Sequence, residues 1–257
     1  KTLFQYLRQI FKRDYRKSQS YKVSYLVSLK NLPDLHNRVV LALPIPLQNS
    51  YQIIKGEVEF TDGYKKTSDK FGNAVVFWEG VIAPHSEVSY EEKFEIKILP
   101  RIVTIDPSWS LIYYKSVDSP YLVSAKHLSG KDERVLQLAQ SISKGETNLL
   151  KVVGGIYEYV VGNLKYDNPI QGLYSFEEGL GGKPVDCGGF DSLLGSLYMA
   201  LGIPARIVSG FWTSGLGAPA HKKMHAWLEI LLPNGEWLPL DPAVDNLSRG
   251  HRTNRKV

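Results

Sequence analysis

Apolar and polar residues alternate with a period of two through most of the first hundred residues and with a period near 3.6 beyond residue 128. The chain therefore reads as a β-rich half followed by a half that mixes helices with strands. Tyr21, Val23, Tyr25, Val27 and Leu29 alternate with Lys22, Ser24, Ser28 and Lys30, and only Leu26 breaks the rhythm. Similar runs at 39–47, 51–60, 74–82 and 87–99 are separated by the turn formers Pro33-Asp34, Pro44 and Pro46, Asp62-Gly63, Gly72-Asn73 and Pro84. One apolar and one wet face per strand predicts an all-β, sandwich-like domain over 21–105. Its two histidines, His36 and His85, gather no other chemistry-bearing residues.

Residues 106–128 lose any period and read as a linker. Ser129 followed by Asp132 predicts a capping box that opens a helix through Val135, Leu138, Ala139 and Ile142. A second helix carries Leu149, Val153, Ile156, Tyr157, Val160 and Leu164, and a third starts at Cys187 and runs through Leu193, Leu194, Leu197, Tyr198 and Leu201 to Gly202 and Pro204. Two strands follow, 205–212 and 224–232, and Pro233-Asn234-Gly235 turns the chain into a third, 237–242. A type I turn with Gly235 in the left-handed position sets Leu232 opposite Glu236 and, counting back, Trp227 opposite Asp241. His225 then lies on the same face as Asp241, as its diagonal neighbour.

The length of 257 residues suits two domains. Charge changes the picture at the ends alone: residues 1–20 carry +5 and 249–257 carry +4 of an overall +5, so 21–248 stands at −4. Such a body argues against nucleic-acid binding. The basic N-terminal arm (1–20, with a short amphipathic helix at 4–11) and the basic tail (249–257) instead suit a membrane surface or an acidic partner. No apolar run is long enough for a transmembrane span.

A single cysteine, Cys187, excludes an internal disulfide and any multi-cysteine zinc site. His221 and His225 stand at i and i+4, but in a strand that spacing is about 13 Å, so no metal site is expected. Gly179-Leu180-Gly181-Gly182 precedes Cys187, and Gly188-Gly189 follows it. Without a following Lys-Ser/Thr pair these glycines are no phosphate loop. They let a substrate backbone approach the thiol, and the start of a helix favours a thiolate. The alternative is a buried, inert cysteine, with a half-buried strand histidine beside an otherwise satisfied aspartate.

Cys187 at a Gly-rich helix start, Gly202-Ile203-Pro204-Ala205-Arg206, the strand end Gly210-Phe211-Trp212, His225-Ala226-Trp227-Leu228-Glu229 and Trp237-Leu238-Pro239-Leu240-Asp241-Pro242 together resemble the core of the transglutaminase-like cysteine hydrolases. The likeness covers about 130–245, within a domain taken as 129–248. The upstream segment resembles the β domain that precedes this core in microbial members. The resemblance implies an α+β, papain-like core with Cys187 as nucleophile, His225 as base and Asp241 as its orienter. It brings no cofactor, and no calcium-ligand loop is recognisable. Pro184-Val185-Asp186 departs from the usual residues before the cysteine, which bears on substrate preference.

The chemistry expected is acyl transfer on a protein or peptide substrate through a thioester. The Cys187 N–H would hold the oxyanion, with Tyr166 or a residue near Tyr174 as second donor. Hydrolysis is favoured over amine transfer, because the loop Ser214–Ala220 has small residues that leave access to water; Lys222 and Lys223 beside it could steer an acidic substrate. A protein-glutamine amine transferase and a catalytically silent scaffold are the rival readings.

Overall fold

A computed structural model describes residues 18–31, 33–69, 71–167, 174–211 and 224–253. The helix at 4–11, Trp212, the loop 214–220, His221, Lys222, Lys223 and the chain beyond 253 lie outside them. The chain divides into two compact units, one ending at Ile102 and the other starting at Val103.

The first unit is all β. Strands β1 (Gln19–Lys30), β6 (Glu87–Ile98) and β3 (Gln52–Phe60) form one antiparallel sheet in the order β1-β6-β3; β2 (Asn37–Pro44), β5 (Ala74–Ile82) and β4 (Lys65–Ser68) form another in the order β2-β5-β4. Both sheets supply the core: Leu43, Ile45, Val76 and Tyr90 are buried, with Tyr25, Val27, Leu41 and Phe60 packed against them. Alternation does what it should, placing Tyr25 and Val27 inward while Leu26 stays 65% exposed. One inward position is polar. Glu92 is buried two residues after Tyr90, whose hydroxyl donates to its Oε2 at 2.8 Å. Burial raises the Glu92 carboxyl above its ordinary range despite that bond.

In the second unit, residues 106–128 pack as part of the fold instead of forming a linker. They hold 3₁₀ turns at Leu111–Ser116 and Pro120–Leu122. Tyr114 is buried and its hydroxyl donates to the Leu231 carbonyl at 2.6 Å. Thr104 N–H meets Glu236 Oε2 at 3.0 Å, and Leu111 N–H meets the Thr147 carbonyl at 2.8 Å. A 3₁₀ turn has neither period, so no pattern announces it.

Helix α1 (Glu133–Ser143) is capped by Asp132 itself, whose carboxylate accepts from the Arg134 and Val135 N–H groups. Ser129 does not take part in the expected capping box; its N–H donates to Ser196 Oγ at 2.9 Å. Helix α2 (Leu149–Asn163) follows. The capping box in this region is Ser175 with Glu178 on the short α3 (Phe176–Leu180).

Helix α4 (Cys187–Ala200) is buried from Gly188 to Met199. Leucines and Tyr198 fill its apolar sides, and small residues let neighbours close in: a Cβ on Gly195 would sit 2.8 Å from Leu128 Cδ2 and 3.0 Å from Leu228 Cδ1. Strands β7 (Ala205–Phe211), β8 (Met224–Leu231) and β9 (Trp237–Leu240) form one antiparallel sheet in that order, and α5 (Pro242–Thr253) closes the described chain. The β8–β9 register is as the turn chemistry predicts: Leu228 pairs with Leu240, Leu232 N–H bonds to the Glu236 carbonyl at 2.8 Å, and Gly235 has φ +84°.

Candidate active site

Three local decisions place the expected site residues. Asp186 caps α4, its Oδ1 accepting the Gly189 N–H at 3.1 Å, which makes Cys187 the first residue of the helix. Gly189 has to be glycine here, because a Cβ would fall 2.4 Å from Val185 Cβ. Val185 in turn bridges in parallel to Tyr166. On the sheet, His225 pairs with Gly210, and Gly210 leaves room for the Trp227 ring, which a Cβ would approach to 3.0 Å. One step past the last β8–β9 pair, the register carries Trp227 opposite Asp241.

The structure brings Cys187, His225 and Asp241 together. His225 Nε2 lies 2.8 Å from Asp241 Oδ2, and the Cys187 side chain is near enough to the imidazole to favour its protonated form. The His225 side chain is 12% exposed and that of Asp241 33%. Burial disfavours the charged imidazole, yet the hydrogen bonds to Asp241 and Cys187 and the charges of both outweigh it, and His225 is pushed up to about 10. Asp241 also works outward: Oδ1 accepts the Val244 N–H at 3.2 Å in the first turn of α5.

Tyr166 is 39% exposed, and its ring lies 6.2 Å from that of Phe190, between centroids. Burial raises its phenol, and the charge of Cys187 adds to the rise, so the hydroxyl belongs to the site's electrostatic neighbourhood. Tyr174 is buried, its carbonyl taken by Ser192 Oγ at 3.1 Å. Sequence reasoning missed two further acids of this neighbourhood. Asp186 is half-buried and raised by burial against its cap bonds. Asp191, a turn along α4, is wholly buried. Among the described residues no cluster of three or more His, Cys, Asp or Glu side chains could hold a metal ion.

Residues 136–242 match the family described as the Transglutaminase-like superfamily, and the matched stretch starts in α1 and ends just past Asp241. That stretch, which holds Cys187, His225 and Asp241, is similar to the transglutaminase-like superfamily. Its fold is similar to the crystal structure of a "Putative Cysteine Protease" from Cytophaga hutchinsonii, with a TM-score of 0.68 at 16% identity over 88% of this chain and 77% of that one. The periplasmic domain of TgpA from Pseudomonas aeruginosa aligns with a TM-score of 0.47 at 16% identity, over 95% of this chain and 77% of that one. A comparison with curated proteins finds no match. The match over 136–242 supports a thiol-dependent enzyme in general terms. No helix among the described residues is long and apolar enough to cross a membrane.

Proposed function

We propose that the chain is a thiol-dependent acyl-transfer enzyme that hydrolyses peptide or side-chain amide bonds through a cysteine thioester. The observation that carries this reading is the 2.8 Å hydrogen bond between His225 and Asp241 with Cys187 beside the same imidazole. A hydrogen on Nε2, held by the Asp241 carboxylate, leaves Nδ1 to exchange a proton with the sulfur.

The Cys187 thiolate attacks the amide carbonyl carbon, and the carbonyl oxygen becomes an oxyanion. Asp186 engages the N–H groups of Gly189 and Gly188, so the Cys187 N–H, in a first turn that offers it no intrahelical partner, serves that oxyanion. Tyr166 is the second donor in this reading. Imidazolium His225 gives its Nδ1 proton to the leaving nitrogen, the C–N bond breaks, and the thioester remains. Neutral His225 then takes a proton from water as its oxygen attacks the thioester, and the thiolate leaves with the acid released.

The test is a panel of peptide and glutamine-containing substrates with a labelled primary amine present, comparing the wild-type chain with Cys187→Ala. Release of free acid that vanishes in the variant is expected. Predominant incorporation of the amine would replace hydrolysis by cross-linking, and equal turnover by both chains would end the nucleophile assignment.

A further inference from the structure

Helix α4 is buried along nearly its whole length, and one of its buried side chains is a carboxylic acid. Asp191 has 0% relative exposure. Neither of its side-chain oxygens has a hydrogen-bond partner among the described residues. An ionised carboxylate in this position would give up its hydration and receive nothing in exchange.

The position is not neutral with respect to the site. Residues four apart on a helix share a face, and helical side chains lean toward the N-terminus, so Asp191 lies under the turn that carries Cys187. The charged and titratable groups facing it are Cys187 and Asp186 from the start of its own helix, Asp241 from the β9–α5 junction, His225 from β8 and Tyr157 from α2. Asp245 of α5 is turned to the Tyr157 hydroxyl, 2.6 Å away. Burial foremost, then the charges of Asp241 and Cys187, hold the Asp191 carboxyl well above the usual carboxylate range, and His225 pulls the other way.

Counting charge gives the consequence. A Cys187 thiolate, an Asp241 carboxylate and a His225 imidazolium sum to one negative charge, to which Asp186 adds when ionised. Ionised Asp191 would add one more, at a position with no exposure of its own. Resting on the reading of Cys187 as the nucleophile, we propose that Asp191 is a positioning residue for it: a buried acid whose proton is linked to the charge on Cys187, so that the site's unbalanced negative charge stands on the sulfur. Linkage makes the effect reciprocal. The thiolate holds the proton on Asp191, and loss of that proton would make the thiolate harder to form.

The experiment is a double-mutant cycle in unfolding equilibria of the full chain from pH 4 to 9. It compares wild type with Asp191→Asn, and Cys187→Ala with the double variant. An acid held above its unfolded value of about 3.9 loses native stability as pH rises from there to its folded value. Asp191→Asn escapes that loss. It is therefore expected to gain on wild type by up to about tenfold in the unfolding constant per pH unit, and in the Cys187→Ala background the gain should level off at a lower pH. A gain that does not vary with pH overturns the proposal, and so do identical curves in the two backgrounds.

If the buried amide does not fold, Asp191→Leu enters the same cycle. On the wild-type chain, the infrared carbonyl band of a protonated carboxyl should shift when Cys187 is alkylated; a missing or unmoved band has the same adverse meaning. These measurements read no turnover. A chain without amide hydrolysis but with an intact cycle would end the hydrolase reading and uphold the linkage, whereas turnover with a flat cycle would do the reverse.

Discussion

Asp241 offers a test of the site through its division of labour. Its Oδ2 takes His225 Nε2 at 2.8 Å, and its Oδ1 takes the Val244 N–H at 3.2 Å. Asp241→Asn keeps the shape but has one acceptor oxygen and one NH2 group. With the oxygen left on Val244, the NH2 faces His225 and needs an unprotonated Nε2, which moves the ring hydrogen to Nδ1. With the oxygen turned to His225, the Val244 N–H meets an NH2 and α5 loses a cap worth about 1 kcal/mol. Either way the carboxylate charge is gone. That carboxylate supplies the foremost contribution that lifts His225 to about 10 against its burial. The His225 midpoint should fall by at least about one pH unit, equivalent to about 1.4 kcal/mol. The rate of Cys187 alkylation near pH 6 should fall by up to about tenfold, the same free energy expressed as a rate. Nitrogen-detected NMR titration of His225, assigned by loss of its signal in His225→Gln, measures the first, and iodoacetamide kinetics the second. An unmoved midpoint with an unmoved rate would refute the argument that Asp241 orients and charges the imidazole.

Three further outcomes follow from geometry. The His225 folded value lies above its ordinary 6.5, so the stability it contributes is full below pH 6.5 and is lost as pH rises through about 10; denaturant unfolding of His225→Gln against wild type should show a gap that narrows over that window, and a gap that widens there contradicts the sign. Gly189→Ala drives a Cβ to 2.4 Å from Val185 Cβ and should cost about 1–3 kcal/mol by overpacking, read as a lower denaturant midpoint; an unchanged midpoint would show that Val185 yields freely. Tyr114→Phe leaves the Leu231 carbonyl without its 2.6 Å donor and should cost about 1–3 kcal/mol in thermal unfolding, whereas a loss below a few tenths would show that water replaces the hydroxyl.

The candidate site residues were legible as candidates because each carries a sharp local sign. Cys187 sits among glycines at a helix start, His225 in an alternating strand, and Asp241 at a distance fixed by a three-residue turn whose Gly235 adopts the required positive φ. Asp191 carried no such sign. In a helical pattern an aspartate counts as a solvent-facing residue, and only packing shows that α4 has no solvent-facing side at its position. Glu92 is hidden for the same reason, since its inward place in β6 follows from alternation but its burial does not. The α1 boundary slipped because Ser129 and Asp132 both suit a cap, and the choice was made by a tertiary bond from Ser129 to Ser196. Residues 106–128 gave no period because their order comes from contacts with distant segments.

Those contacts decide how the unit that holds the candidate site could be excised or grafted. A cut at the first residue of α1 would strip Tyr114 from the Leu231 carbonyl, Leu111 from Thr147, and Thr104 from Glu236 at the very turn that aligns His225 with Asp241. Such a fragment would keep every residue of the run from Cys187 to Asp241 and lose the clamp on the hairpin that holds two of them in register. The usable seam lies between Ile102 and Val103, where the compact units part. Any exchange of the β domain therefore has to keep the whole stretch from Val103 onward together with the candidate site.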